Sequence, residues 1–371
     1  MKISQRWFKP RRAAVLAVST GLALALSACG GSSTGSETSA SEAPAPAASE
    51  AASEAAKPLT IGVAMKTQLQ RRWEFDLKSM EEEAAKNGVT LVVQWANDDP
   101  ALQAQQVEQL ITQDVDALII TPVDGAAAAA SAEAAKAAGI PVISYDIGIS
   151  GTDAVDAVVL RDNPKVGVLQ AQSALAFCPK GNYALIWGDP ANDVAQAISA
   201  GQKETLASSS DVTVVYEDFT KNWDPETALS IAENQLTANN NDVCAFLTAN
   251  DGMATGVVQA LQAQGLNGKV FVSGLDADPA NLKAILDGDQ TMSVWTKIDD
   301  QGRLAVQSAI ALANGQAPPS TGTVNNGTKD VPAVLAEVIE VNKNNVCEFV
   351  TSIAPKDWVT LEDVGNPAEC Q

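Results

Sequence analysis

The sequence predicts an α/β protein of two similar lobes, each a parallel sheet with helices on both faces. Three observations carry this. From residue 59 onward, short β-branched apolar runs alternate with longer helical stretches. The alternation comes in two successive series. The chain has 371 residues, about two domains at roughly 100–200 residues each.

In the first series the apolar runs are LTIGVAM (59–65), TLVVQWA (90–96), ALIITPV (117–123) and PVISYDI (141–147). Between them, EFDLKSMEEEAAKNG and ALQAQQVEQLITQDV space their apolar residues near 3.6, and the first stops at Asn87-Gly88. The second series is NYALIWG (182–188), VTVVYED (212–218), VCAFLTAND (243–251) and KVFVSGLD (269–276), with helices such as ATGVVQALQAQG (254–265) between. Strand–helix–strand repetition implies parallel pairing with helices covering both faces.

The segment before residue 58 has a different character. Lys2, Arg6, Lys9, Arg11 and Arg12 precede an apolar run at 13–26, too short for a membrane span of about 20 residues. A basic start with a short apolar run marks an export signal, expected over 1–28. The run ends in Leu26-Ser27-Ala28-Cys29, which resembles the bacterial lipobox, with Cys29 as the lipidated mature N-terminus. Residues 29–57, rich in Ser, Ala, Glu, Gly and Pro, bury too little to offset ordering entropy and are expected to be a flexible tether.

Composition excludes several functions. There is no histidine, so no Ser-His-Asp or Cys-His nucleophile and no His-ligated metal is available. A net charge of −21 argues against nucleic acid and against polybasic docking on lipid. No GxGxxG follows a strand and no GxxxxGK[ST] occurs, so no nucleotide cofactor is expected. Four cysteines remain after Cys29, and four allow three pairings. Cys347 with Cys370 would clip the C-terminal tail. Cys178 with Cys244 would join the starts of two neighbouring strands. With no CxxC and no His, metal ligation by them is not expected.

In open α/β sheets, ligands bind beyond the carboxyl ends of the strands. Those ends carry Lys66 with Arg72-Trp73, then Asp146, then Asn192-Asp193, Trp223, Asn250 and Asp276. Sugar hydroxyls donate and accept, which suits carboxylates, amides and cations together. Indole rings suit the apolar faces of a pyranose, so Trp73 and Trp223 could close on a sugar from opposite lobes. Paired carboxylates could also hydrolyse a glycosidic bond, but Lys66 and Arg72 beside them would keep both ionised. No catalytic residue is expected.

The segments IGVAMKTQLQRRW, ALIITPVDG, GIPVISYD, DNPKVGVLQA, GNYALIWGDPAND, ENQLTANNNDV, TANDGMATGVVQALQAQGLNGKV, SGLDAD and QTMSVWTKI follow one another over residues 59–345. Together they resemble the type I periplasmic sugar-binding proteins of ABC transporters, nearest to the D-xylose-binding branch. The resemblance implies a sugar-binding lipoprotein that closes on a monosaccharide and delivers it to a membrane permease. It implies contacts from Lys66, Arg72, Trp73 and Asp146 in one lobe. From the other it implies Asn192 or Asp193, Trp223, Asn250 and Asp276, and Lys297 stands one position after a usual lysine contact. Three positions depart from the pattern: Ile147 stands where an arginine is usual, Thr296 where a lysine is usual, and the loop after Pro190 lacks paired asparagines. An aldopentose such as D-xylose is expected, and those departures leave fructose, glucose or galactose open. A sensor presenting sugar to a membrane kinase is a further alternative. Regulators of the lac-repressor type share the core but begin with a basic helix-turn-helix, absent here. The expected lobes are 58–161 plus 296–328 and 162–295 plus 329–371, joined near residues 162, 295 and 329. A monomer without cofactor, held outside the cytoplasm by its lipid, is expected.

Overall fold

Strand and helix alternate through the computed structural model, which describes residues 58–191 and 193–370. The signal (1–28), the tether (29–57), Cys29 and Asn192 lie outside the described residues. The first series gives β1 (Thr60–Met65), α1 (Arg72–Lys86), β2 (Thr90–Trp95), α2 (Pro100–Thr112), β3 (Ala117–Ile120), α3 (Ala129–Ala137), β4 (Val142–Tyr145) and β5 (Ala157–Arg161). The second gives α4 (Asn163–Phe177), β6 (Gly181–Trp187), α5 (Asp193–Leu206), β7 (Val212–Phe219), α6 (Pro225–Ala238), β8 (Ala245–Thr248), α7 (Asp251–Ala263), β9 (Phe271–Val272), α8 (Pro279–Asp287) and β10 (Met292–Thr296). The chain ends with α9 (Ile298–Ala313), β11 (Gly322–Asn325), β12 (Asp330–Ala336), β13 (Val338–Asn342) and short helical turns.

Local sequence sets the boundaries. Asp99, Asp162 and Asp224 each accept a hydrogen bond from the first turn of the helix they precede, and a proline follows within two residues. Such a cap satisfies an amide that has no partner within the helix. Gly288 closes α8 in the left-handed conformation at φ 87°. Strands β3 and β4 are buried at every position, as central parallel strands covered on both faces must be.

The first sheet has the order β11-β12-β5-β4-β3-β1-β2, and the second β7-β6-β8-β9. All pairs in both are parallel except the β11–β12 hairpin. Strands β10 and β13 pair antiparallel beside the second sheet. Strand β12 pairs with β5, so residues 330–336 belong to the first lobe. The third crossover therefore falls at Glu337, not near 329. The other two fall after Arg161 and after Thr296. Helix α9 packs on α1, back in the first lobe. The cysteines pair as Cys178–Cys244 and Cys347–Cys370.

The lobes touch in two places. Ile147, from the first lobe, packs into the hydrophobic cluster of the second. The Gly148 amide donates to Asp193 at 3.0 Å, and a Cβ at Gly148 would lie 2.4 Å from that carboxylate. Elsewhere Phe75 of α1 meets Trp358 edge-on at 4.9 Å, and Arg71 donates to the Asp357 carbonyl at 3.1 Å.

Candidate ligand-binding site

Between the two sheets lies a small cavity of about 40 Å³. Lys66, Arg72, Trp73 and Asp146 line it from the first lobe, and Trp223, Asn250 and Asp276 from the second. Each follows a strand end, because parallel strands deliver their carboxyl ends to one edge of the sheet.

A buried ionic cluster forms the floor. Arg72 is 2% exposed. It donates through Nε to Asp76 at 3.1 Å and through Nη2 to Asp146 at 2.9 Å. Arg161 donates to the other Asp146 oxygen at 3.3 Å, and Gln301 to Asp146 Oδ1 at 3.1 Å. Burial alone would push the Asp146 carboxyl up, but Arg161 and Arg72 hold it below its usual value, so it is a carboxylate at neutral pH. Asp276 stands 3.7 Å from both Arg72 and Arg161. There burial outweighs the two guanidinium groups and its pKa rises. Beneath the floor, Tyr145 donates to Asp76.

The backbone at these carboxylates is unusual. Asp146 has φ 61° and Asp276 φ 104°, conformations that cost a non-glycine residue about 1–3 kcal/mol each. The fold holds both in place, turning the carboxylates into the cavity.

Tryptophans form the walls. Trp73 is fixed by its Nε1 donating to Gln70 at 2.9 Å, and the Arg72 guanidinium stacks 4.6 Å from its ring. Trp223, at φ 57°, lies over Gly188, where a Cβ would approach its ring to 2.3 Å. Glycine at 188 thus makes room for the indole. Asn250 spends its side-chain oxygen on the Met253 amide at 3.0 Å, capping α7. The same residue is part of the cavity lining. Lys66 pairs with Asp98 and is 5% exposed.

Two expected contacts lie elsewhere. Lys297 is not in the lining. It follows β10 outward and pairs with Glu337 at 2.9 Å, tying two crossovers together. The preceding Thr296 turns inward and accepts from Arg161. Asp193 joins the lobes through Gly148 and does not line the cavity. Ile147, one of the departures noted above, lines it, and so do Gln70, Arg161, Val194 and Leu275, which were not expected to. Arg161 had a usable signal: it ends the apolar run AVVLR, whose carboxyl end points to the same edge as the others.

Comparison with known proteins places the chain among relatives. The family described as periplasmic binding protein domain matches residues 61–317. The D-xylose-binding periplasmic protein of Escherichia coli is 41% identical over 79% of this chain and 90% of its own. The protein of the same description from Haemophilus influenzae is 39% identical over 79% of this chain and 89% of its own. Among solved structures, a carbohydrate transporter solute-binding protein from Chloroflexus aurantiacus in complex with D-glucose superposes with a TM-score of 0.75. It is 31% identical, over 83% of this chain and 98% of that one.

Proposed function

Since the chain belongs to the periplasmic binding protein domain family, we propose that it is the substrate-binding protein of a sugar ABC importer. Family and relatives are solute-binding proteins of transport, not enzymes. The ligand in this reading is a monosaccharide, D-xylose or a related aldopentose. The observation that carries it is a cavity shared by both lobes, with two tryptophan walls and a charged floor in which each cation has a carboxylate partner. Such a site has no surplus charge for an ionic ligand. It offers donors and acceptors to a neutral polyol instead.

Capture works by closure. Sugar that bridges Arg72 and Asp146 to Asn250 and Asp276 binds the closed form better than the open one, and shifts the hinge equilibrium accordingly. The crossovers after Arg161 and Thr296 and at Glu337 are the pivots. The closed form then docks on a membrane permease. We extend the reading to an exported monomer, anchored by lipid on Cys29 at the end of the 29–57 tether. The tether keeps the receptor near its permease at high effective concentration.

Another monosaccharide, such as fructose, glucose or galactose, is favoured by one observation: Ile147 presents an apolar side chain to the cavity. Calorimetric titration of the mature domain with xylose, arabinose, ribose, fructose, glucose and galactose decides between them. Micromolar or tighter binding of a pentose, lost in Trp223→Ala, supports the first reading. Tight binding of a hexose moves the specificity and keeps the mechanism. No binding to any sugar removes the carbohydrate assignment.

A further inference from the structure

Three polar atoms converge on one point of the cavity without bonding to each other. Among the described residues, Arg72 Nη1 is buried and makes no hydrogen bond. Among them too, Arg161 Nη1 donates only to Thr296 Oγ1, at a long 3.4 Å. Asp276 Oδ1 stands 3.7 Å from both nitrogens, beyond the 2.7–3.2 Å of a sound N–H···O bond. The other nitrogens of both guanidinium groups are fixed. Arg72 is held by Asp76, Asp146 and Gln301. Arg161 is held by Asn163 at 2.8 Å and by Asp146. These two Nη1 groups are therefore locked in direction and short of an acceptor. Leaving such donors unpaired in a buried site is costly.

One chemical group completes the set. A hydroxyl has two lone pairs and one proton. Its oxygen accepts from Arg72 and Arg161, and its proton goes to Asp276. An ether oxygen lacks the proton, and an ammonium lacks the lone pairs. Because Arg72 and Arg161 belong to the first lobe and Asp276 to the second, a hydroxyl here also joins the lobes.

We propose that Arg72, Arg161 and Asp276 form a subsite for a single ligand hydroxyl, and that Arg161 is a specificity-determining residue. Resting on the sugar reading above, it names the group recognised. It also accounts for Ile147, whose side chain packs against the second lobe and supplies no donor. The guanidinium at this edge of the cavity comes from β5. Arg161 immediately precedes the first crossover, and its partner Thr296 precedes the second. The subsite is thereby built onto the pivot itself.

The test uses the mature protein, with D-xylose, D-glucose and the monodeoxy derivatives of each as probes. In the wild type, removing one particular hydroxyl should weaken binding about 10- to 150-fold, the range for hydrogen bonds to charged groups. Removing the others should cost less. In Arg161→Met the penalty at that same position should shrink about tenfold or more, with the other penalties unchanged. Arg161→Lys, which keeps the charge in a smaller reach, should restore part of it. The subsite is overturned if Arg161→Met lowers the affinity for parent and every deoxy sugar by one common factor, as a merely structural residue would. Should Arg161→Met fail to fold, the wild-type series still decides: equal penalties at all positions overturn the subsite. No wild-type binding of either parent sugar sinks the sugar reading itself.

Discussion

Asp146 and Asp276 face one cavity but should answer differently to truncation. Asp146 balances two buried arginines, so Asp146→Ala leaves them short of counter-charge, a loss of about 3–5 kcal/mol for breaking a buried ion pair. Asp276 stands off from both, and burial already raises its pKa. Asp276→Ala should cost less stability in denaturant unfolding while weakening sugar binding about tenfold or more by calorimetry. Equal stability losses would contradict this division. Asp278 adds a pH dependence. Burial, then the neighbouring Asp276 charge, push its carboxyl up to about 7, against the pull of Arg71 and Arg72. Its unfolded value is about 3.9. The folded state thus holds the proton more tightly, and the stability Asp278 contributes is full below about pH 4 and lost as pH rises through about 7. Asp278→Asn should flatten the fall of melting temperature across that window. Asp251, also raised by burial, keeps its own part of the slope.

Among the elements, the C-terminal segment is the least expected. Trp358 is a core residue of the second lobe, yet its ring edge meets Phe75 on α1, the helix that also carries Arg72 and Trp73. The Cys347–Cys370 bridge clips this segment across a sequence separation of 23. Replacing both cysteines by serine should cost about 3 kcal/mol by loop-closure entropy, read as a shift in denaturant midpoint. The alternating runs made most strands and helices legible, because burial on both faces writes continuous apolar segments. The exceptions have local causes. Strand β12 carries Pro332 and lies in a hairpin, and only its distant pairing with β5 assigns it to the first lobe. Lys297 and Thr296 differ by one position: Thr296 ends β10 and is bonded by Arg161, whereas Lys297 caps α9 and turns out to Glu337. Arg161 ends the apolar run of β5 and so had a positional signal, but its partner carboxylate comes from another strand, which the sequence pattern does not pair with it.

For the whole molecule, capture by hinge closure has a readout in solution. Small-angle scattering should therefore give a larger radius of gyration for the sugar-free protein than for the sugar-bound one. Superimposable curves would argue against hinge closure. The β12–β5 pairing has a consequence for how the chain is made. The four-stranded sheet is contiguous in sequence, from β6 to β9. The seven-stranded sheet starts at β1 but waits for β12, encoded after nearly all of the second lobe. A polypeptide emerging from its N-terminus thus presents the edge of β5 unfilled while all four strands of the second sheet are already made. Of the two parallel sheets, the one that begins first is completed last.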